Sequence, residues 1–133
     1  QTITQLGHVY DLAMAIVLSL KSDIAKNKIY NCSATKAITF KGLISQAAIA
    51  ANVSPEDVQM RTFDKSKLNT KARKGFPVRL ENFFTDTKSL QNDLNWSEKY
   101  DLASGLKDSY ENDYLKNKSN NPDFSSDQKL FYS

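Results

Sequence analysis

Apolar residues recur at helical spacing in two stretches of the first half of the chain. From residue 9 to residue 20 the spacing of three and four predicts an amphipathic α-helix, with a stripe of Val9, Leu12, Ala13, Ile16, Val17 and Leu20. The same spacing predicts a second helix over Phe40–Ala51, with a buried face of Phe40, Leu43, Ile44, Ala47, Ala48 and Ala51. Thr39 is placed to cap this second helix, and Asn52 is suited to the left-handed position that follows it.

Shorter patterns between the helices predict strands. Thr2–Leu6 alternates weakly, Lys28–Cys32 is β-branched and aromatic, and Val58–Phe63 alternates more clearly. Each is typical of a short strand. The run Ser54–Asp57 has a proline directly after a capping residue and predicts one helical turn.

Two more helices are predicted in the second half. Thr85 is expected to cap a helix over Asp86–Leu94, and Asp101 is expected to cap another over Leu102–Leu115. In the first of these, Leu90 and Leu94 should point inward, and Trp96 should pack back after Asn95 ends the helix. Helices that alternate with short strands predict an α/β or α+β fold class.

Composition limits the chemistry of the chain. Its 133 residues, of which 40% are hydrophobic and 25% charged, are typical of one soluble domain. The single cysteine, Cys32, excludes a disulfide within the chain and is read as an inert thiol. The single histidine, His8, excludes two-histidine ribonuclease chemistry and a multi-histidine metal site, and is best explained as a helix-start residue bonded to backbone. The longest apolar run is too short to cross a bilayer, so no membrane partner is expected.

Positive charge is concentrated in one part of the chain, residues 61–80, here called the basic stretch. It has seven basic residues against one acid and a formal charge of +6, whereas the whole chain carries +3. This pattern predicts a binding site for a polyanion, formed by Arg61, Lys65, Lys67, Lys71, Arg73, Lys74 and Arg79. Phe63 and Phe76 are candidates for stacking on an unpaired base, and Phe83 and Phe84 follow. The alternative interpretation is a solvated loop whose phenylalanines are buried in the core.

Four spaced blocks resemble extended short-chain dehydrogenases/reductases. HVYDLAMAIVLSL is similar to their "H-V-x-D-L-A-x-A" helix, and FTDTKSLQNDLNW to their "A-D-x-S-K-A-x-x-x-L-G-W" block, with Asn95 in place of the usual glycine. KIYNCSATKAITFKGL and YDLASGLKDSYENDY resemble two further blocks. Within this superfamily the chain resembles the chloroplast stem-loop-binding protein family, the RNA-binding branch of plastids and cyanobacteria, in QLGHVYDLA, in Lys71–Arg79 and in PDFSSD.

The resemblance implies a C-terminal substrate-lobe portion of such a protein, over residues 1–115, with a polar tail over 116–133 and the Rossmann half missing. It implies binding of mRNA stem-loops or rRNA, in a plastid stroma or a cyanobacterial cytoplasm. Endoribonuclease activity is implied only for the full-length protein, and so are NAD(P) or Mg²⁺. The chain has no glycine-rich dinucleotide loop, so no cofactor is expected in it and it is not expected to be catalytic alone. Expected partners are RNA, the missing Rossmann domain and further subunits. One alternative is a nucleotide-sugar-binding lobe of an NAD-dependent epimerase or dehydratase. Another is a structural lobe that only supports the Rossmann domain and drives oligomerisation.

Overall fold

The computed structural model describes residues 2–62, residues 81–118 and residue 123. Within these ranges the strands are β1 (Ile3–Thr4) and β2 (Ile38–Thr39). The α-helices are α1 (Val9–Leu20), α2 (Phe40–Ala50), α3 (Lys88–Leu94), α4 (Leu102–Ser109) and α5 (Leu115–Asn117). Short 3₁₀ turns cover Asp23–Ala25 and Pro55–Asp57, and a π-helical turn, Tyr110–Tyr114, joins α4 to α5.

The two strands form one small antiparallel sheet, with Ile3 opposite Thr39 and Thr4 opposite Ile38. The strand predicted over Thr2–Leu6 is therefore present over two residues, and its partner is a segment whose pattern did not predict a strand. Thr39 ends β2 and also caps α2, because its hydroxyl accepts a hydrogen bond of 3.0 Å from the Gly42 backbone N–H. The strand thus continues directly into the helix.

The core contains one face of α1, but not the face that the apolar stripe indicates. Ala15 packs with Leu90, Leu94 and Trp96, which are 1–7% exposed. The stripe itself is turned away from this core: Leu20 is 83% exposed and most of the other stripe residues are exposed as well. The opposite face is buried because Ala15 is small and lets α1 approach α3 closely.

Helix α2 matches its predicted bounds to within one residue, but its predicted buried face is largely exposed. Ala48 is the buried member of that face, while Phe40 and Ile44 are 45% and 41% exposed. The helix packs on α4. Asn52 has the predicted left-handed conformation, with φ of 58°, and the predicted turn is present at Pro55–Asp57.

Two predicted strands are wrong. Residues 28–32 are an irregular segment, in which Lys28 and Tyr30 direct their polar ends to Asp93 on α3 and Ile29 is 96% exposed. No described strand lies beside them to complete a ladder, so β-propensity alone did not determine their structure. Residues 58–62 are likewise not a strand, and Phe63 lies outside the described residues.

The third helix begins two residues later than predicted. Thr85 is not its cap, because its hydroxyl and backbone bond to Gln5 and Ser33. Instead, α3 begins after Thr87, and the Asp86 carboxylate accepts a hydrogen bond from the Lys88 N–H at 2.9 Å. Asn95 ends the helix in the left-handed conformation as predicted, with φ of 49°.

Asp101 caps α4 as predicted, since its carboxylate accepts a hydrogen bond of 2.8 Å from the Ser104 N–H. The predicted single helix Leu102–Leu115 is interrupted by the π-helical turn, in which the Tyr110 and Tyr114 rings stack at 5.4 Å. Most of the predicted polar tail lies outside the described residues. In the described parts of the chain, we find no helix that is long and apolar enough to cross a membrane.

Candidate nucleic-acid interface

The predicted phosphate-binding residues lie mostly outside the described part of the chain. Arg61 is described and exposed. The other predicted site residues fall in residues 63–80, for which no structure is described: Lys65, Lys67, Lys71, Arg73, Lys74, Arg79, Phe63 and Phe76. Their assignment therefore stays a prediction. The structure does describe the residues that follow the basic stretch, and these form a defined site.

Residues 81–85, which follow the basic stretch, are held to the start of the chain by a hydrogen-bond network around Gln5. The Gln5 side-chain oxygen accepts from the Thr85 backbone N–H at 2.7 Å, and its amide nitrogen donates to the Thr85 carbonyl at 3.2 Å. The same nitrogen donates to the Ala34 carbonyl. The Ser33 and Thr85 hydroxyls share a further bond of 2.7 Å. These bonds fix where the chain returns from the basic stretch.

A cavity of about 460 Å³ lies beside this network. The residues that line it include the aromatic Tyr30, Phe40 and Phe83 and the polar Asn31 and Glu81. We call it the Phe40–Phe83 cavity. Phe83 and its neighbour Phe84 are 57% and 66% exposed, so the interpretation that these phenylalanines are buried in the core is wrong.

Asp11 joins the first helix to the segment after α3. Its carboxylate, in a residue that is 4% exposed, accepts backbone hydrogen bonds from Lys99 at 2.8 Å and from Tyr100 at 3.1 Å. Its backbone carbonyl accepts from the Trp96 indole N–H at 3.0 Å. Asp11 therefore connects three of the sequence blocks that resemble short-chain dehydrogenases/reductases.

His8 has the predicted structural role and one more. Its Nδ1 accepts from the Tyr10 backbone N–H at 3.2 Å and so caps α1. Its Nε2 lies 3.2 Å from the Asp108 carboxylate on α4, and its ring stacks on Tyr100 at a centroid distance of 4.0 Å. Because Nδ1 accepts, the hydrogen of the neutral ring belongs on Nε2, where it is donated to Asp108.

Asp93 forms an ion pair with Lys28 and also accepts a hydrogen bond from Tyr30, which lines the Phe40–Phe83 cavity. The Lys28 ammonium and the Tyr30 hydroxyl lie 2.7 Å and 2.9 Å from the same Asp93 oxygen. The hydrogen bond from Lys28, followed by that from Tyr30, lowers the pKa of Asp93. Burial, with Asp93 next, raises the pKa of Tyr30. The pair holds residues 28–30 against α3.

Cys32 lies partly buried between these clusters. Burial, with the Asp11 charge as a smaller cause, raises the pKa of its thiol, which favours the unreactive protonated form. Within the described residues, no group of three or more histidine, cysteine or acidic side chains is placed to hold a metal ion. Asp108 on α4 bonds instead to His8 and to Asn112.

Comparison with known proteins identifies the fold first. The chain superposes on a dTDP-glucose 4,6-dehydratase from Bacillus anthracis, solved in complex with NAD, with a TM-score of 0.60 over 88% of this chain and 32% of the dehydratase chain. Sequence identity is 18%, so this likeness shows the fold alone. The predicted fold class is confirmed: the described residues form part of an α/β fold like that of the dehydratase.

The sequence comparison then identifies the family. The chain is 38% identical over 115 residues to the chloroplast stem-loop binding protein of 41 kDa b from Arabidopsis thaliana. The match covers 84% of this chain and 29% of that protein, so the chain spans less than a third of its relative. No protein-family model matches the chain. The chain is thus a relative of the chloroplast stem-loop binding proteins, and the predicted resemblance is confirmed.

Proposed function

We propose that this chain binds structured RNA, with stem-loops as the first class of ligand, through the basic stretch. The observation that carries the proposal is the 38% identity to a stem-loop binding protein over 84% of this chain. The charge distribution agrees with it, because a local formal charge of +6 attracts a phosphate backbone. Recognition would be mainly of phosphate and shape, with unpaired bases held separately.

The Gln5 network fixes the residues that directly follow the basic stretch in the sequence. Binding energy from lysines and arginines is reduced when their side chains must first be ordered. Residues 81–85 are already fixed to residues 3–5 and 33–34 through Asn82, Gln5 and Ser33. In the sequence, Arg79 is two residues before this fixed segment.

The test is a salt titration of binding to a labelled hairpin RNA. Replacing Lys71, Arg73 and Lys74 with alanine removes three predicted phosphate contacts, so the slope of log affinity against log salt should flatten by about three units. The matched control replaces three exposed lysines elsewhere, Lys21, Lys26 and Lys41, and so removes the same charge. An equal effect of both triple variants would assign binding to net charge and refute a defined site.

The second candidate function is binding of a nucleotide sugar, which the likeness to the dTDP-glucose dehydratase favours at the level of fold. Arg79 is the residue expected to hold a diphosphate in that case. Titration with dTDP-glucose distinguishes the two candidates, because a nucleotide-sugar lobe should bind it without RNA. We expect no saturable binding of dTDP-glucose by this chain.

Further parts of the proposal concern a longer protein. The exposed apolar face of α1 is a candidate surface for the Rossmann part of such a protein or for another subunit. Cleavage of RNA, and binding of NAD(P) or Mg²⁺, are proposed for the full-length protein only, and we assign no residue of this chain to them. The chloroplastic relative supports a plastid location.

A further inference from the structure

The walls of the Phe40–Phe83 cavity are unusual because they expose aromatic rings. Phe40 and Phe83 are 45% and 57% exposed, although phenylalanine is among the residues most often buried. Phe84 is 66% exposed but does not line the cavity. At about 460 Å³, the cavity lies within the range of small-molecule pockets, roughly 300–1,000 Å³. It is therefore large enough for a planar heterocycle with its sugar.

Several polar side chains around the cavity already have hydrogen-bond partners within the fold. Gln5 and Ser33 bond to Thr85, and Tyr30 donates its hydroxyl hydrogen to Asp93. Such groups shape the cavity but have little capacity left for a ligand.

The remaining polar groups are mainly acceptors. Within the described part of the chain, the Glu81 carboxylate makes no hydrogen bond or ion pair, and its residue is exposed. Asn31 donates one side-chain N–H to the Asp86 carbonyl at 3.4 Å, which leaves its side-chain oxygen to accept and its second N–H to donate. The Thr4 hydroxyl can both donate and accept.

An acceptor-rich cavity selects among the parts of an RNA. Among the described residues that line the cavity, Glu81 is the one charged residue, and its negative charge disfavours a phosphate next to it. A base is favoured, because its faces can stack on phenylalanine and its N–H groups can donate to a carboxylate. Guanine suits Glu81 best, since its N1–H and N2–H₂ donate side by side to the two carboxylate oxygens, whereas uracil presents one N–H between two carbonyls.

We propose that the Phe40–Phe83 cavity binds one unpaired guanine of a stem-loop, stacked on Phe83 and hydrogen-bonded to Glu81. This inference rests on the proposed RNA binding and specifies which part of the RNA is read. The division of roles follows from charge: the basic stretch contacts phosphates, while the acidic edge of the cavity, directly after it in sequence, contacts a base. Base contacts then supply the specificity that phosphate contacts lack.

The test compares three labelled hairpins that differ at one loop position, which is uridine, guanosine or inosine in an otherwise all-uridine loop. We expect the unaltered chain to bind the guanosine hairpin about tenfold more tightly than the uridine hairpin. A pair of hydrogen bonds between one side chain and one base provides discrimination of about this size. Inosine, which lacks the N2 amino group, should fall between them. Glu81→Gln should abolish the preference, since the amide replaces one acceptor oxygen with a donor.

Phe83→Ala tests stacking, with Phe84→Ala as its matched control. The two residues are adjacent, of the same type and similarly exposed. We expect Phe83→Ala to weaken binding of the guanosine hairpin about tenfold or more. Phe84→Ala should leave its affinity unchanged.

The outcomes separate this inference from the proposed function. The cavity assignment is wrong if the three hairpins bind with equal affinity and binding does not depend on Phe83 or Glu81. The RNA-binding proposal still stands in that case, provided that binding depends on Lys71, Arg73 and Lys74. If the unaltered chain binds no hairpin at low salt, both are wrong. Displacement of the guanosine hairpin by dTDP-glucose would reassign the cavity to a nucleotide sugar.

Discussion

Replacing Asp11 tests whether the fold depends on a single buried carboxylate. Two roles are possible for this residue. Its position in the first turn of α1 indicates a favourable charge near the positive end of the helix dipole. The structure adds a second role, because the carboxylate accepts backbone hydrogen bonds from Lys99 and Tyr100, almost ninety residues further along the chain.

The two roles differ in magnitude. A charge–dipole interaction at a helix end contributes about 0.3–1 kcal/mol. In Asp11→Asn the side chain keeps its shape, but the amide has one acceptor oxygen where the carboxylate has two. The backbone N–H of either Lys99 or Tyr100 therefore loses its charged acceptor and faces the amide NH₂ group instead. A hydrogen bond to a charged group contributes about 1.5–3 kcal/mol, and a buried donor left unpaired costs about 1–3 kcal/mol. We therefore expect Asp11→Asn to lower the free energy of unfolding by about 2–4 kcal/mol.

Urea unfolding followed by tryptophan fluorescence measures this effect. Trp96 is the single tryptophan of the chain, is 3% exposed, and donates to the Asp11 backbone carbonyl, which the substitution retains. The probe is therefore native in both proteins. Asp23→Asn is the control, because the Asp23 side chain is 91% exposed and its ion pair with Lys26 is on the surface. It should change stability by less than about 0.5 kcal/mol.

A loss below about 1 kcal/mol for Asp11→Asn would be accounted for by the helix dipole alone. The connection between α1 and residues 99–100 would then contribute little to stability, contrary to the reasoning above.

Three further predictions follow from other parts of the fold. Leu20→Ala should cost less than about 0.5 kcal/mol, whereas Leu90→Ala should cost about 2–5 kcal/mol, because the two leucines are 83% and 1% exposed. Asp93 should titrate below its ordinary pKa of 3.8 in an NMR pH series, and Lys28→Met should raise its pKa by removing the main hydrogen bond. Gly105→Ala should preserve stability or raise it by up to about 1 kcal/mol in urea unfolding, since the added carbon would lie 3.4 Å from His8.

Each of these predictions has a contrary result. Equal losses for the two leucine variants would mean that the apolar stripe of α1 is packed in this chain. The pKa of Asp93 is lowered on folding, so its contribution to the free energy of unfolding is present above pH 3.8 and is lost as the pH falls through the folded-state pKa. If the pKa of Asp93 is unchanged in Lys28→Met, the hydrogen bond from Lys28 is not the cause of the lowered value. A large destabilisation by Gly105→Ala would show that His8 cannot accommodate even one added carbon.

Local signals in the sequence predicted most helix boundaries correctly. Thr39 and Asp101 cap their helices, and Asn52 and Asn95 take left-handed conformations after theirs. These features depend on side chains that bond to backbone within a few residues, so the sequence contains their cause. Thr85 was the exception, because its hydroxyl and backbone bond to residues 33 and 5 instead.

Strand predictions failed for a related reason. Lys28–Cys32 has strand-forming residues, but a strand requires a partner, and this segment bonds to Asp93 on a helix instead. The pairing of Ile3–Thr4 with Ile38–Thr39 had no clear local signal. The cavity was also missed, because its lining comes from segments up to eighty residues apart. Phe83, which follows the basic stretch, was the sequence signal nearest to the cavity.

The sequence by itself determined where the helices lie, where positive charge is concentrated, and which family the chain resembles. Each of these depends on neighbouring residues or on the order of blocks. Tertiary structure decided which face of α1 is buried, since the small Ala15 and the carboxylate of Asp11 found partners across the fold while the apolar stripe did not. It also decided that Phe83 and Glu81 line one cavity. Burial depends on what the rest of the chain provides to pack against, and no periodicity within one helix contains that information.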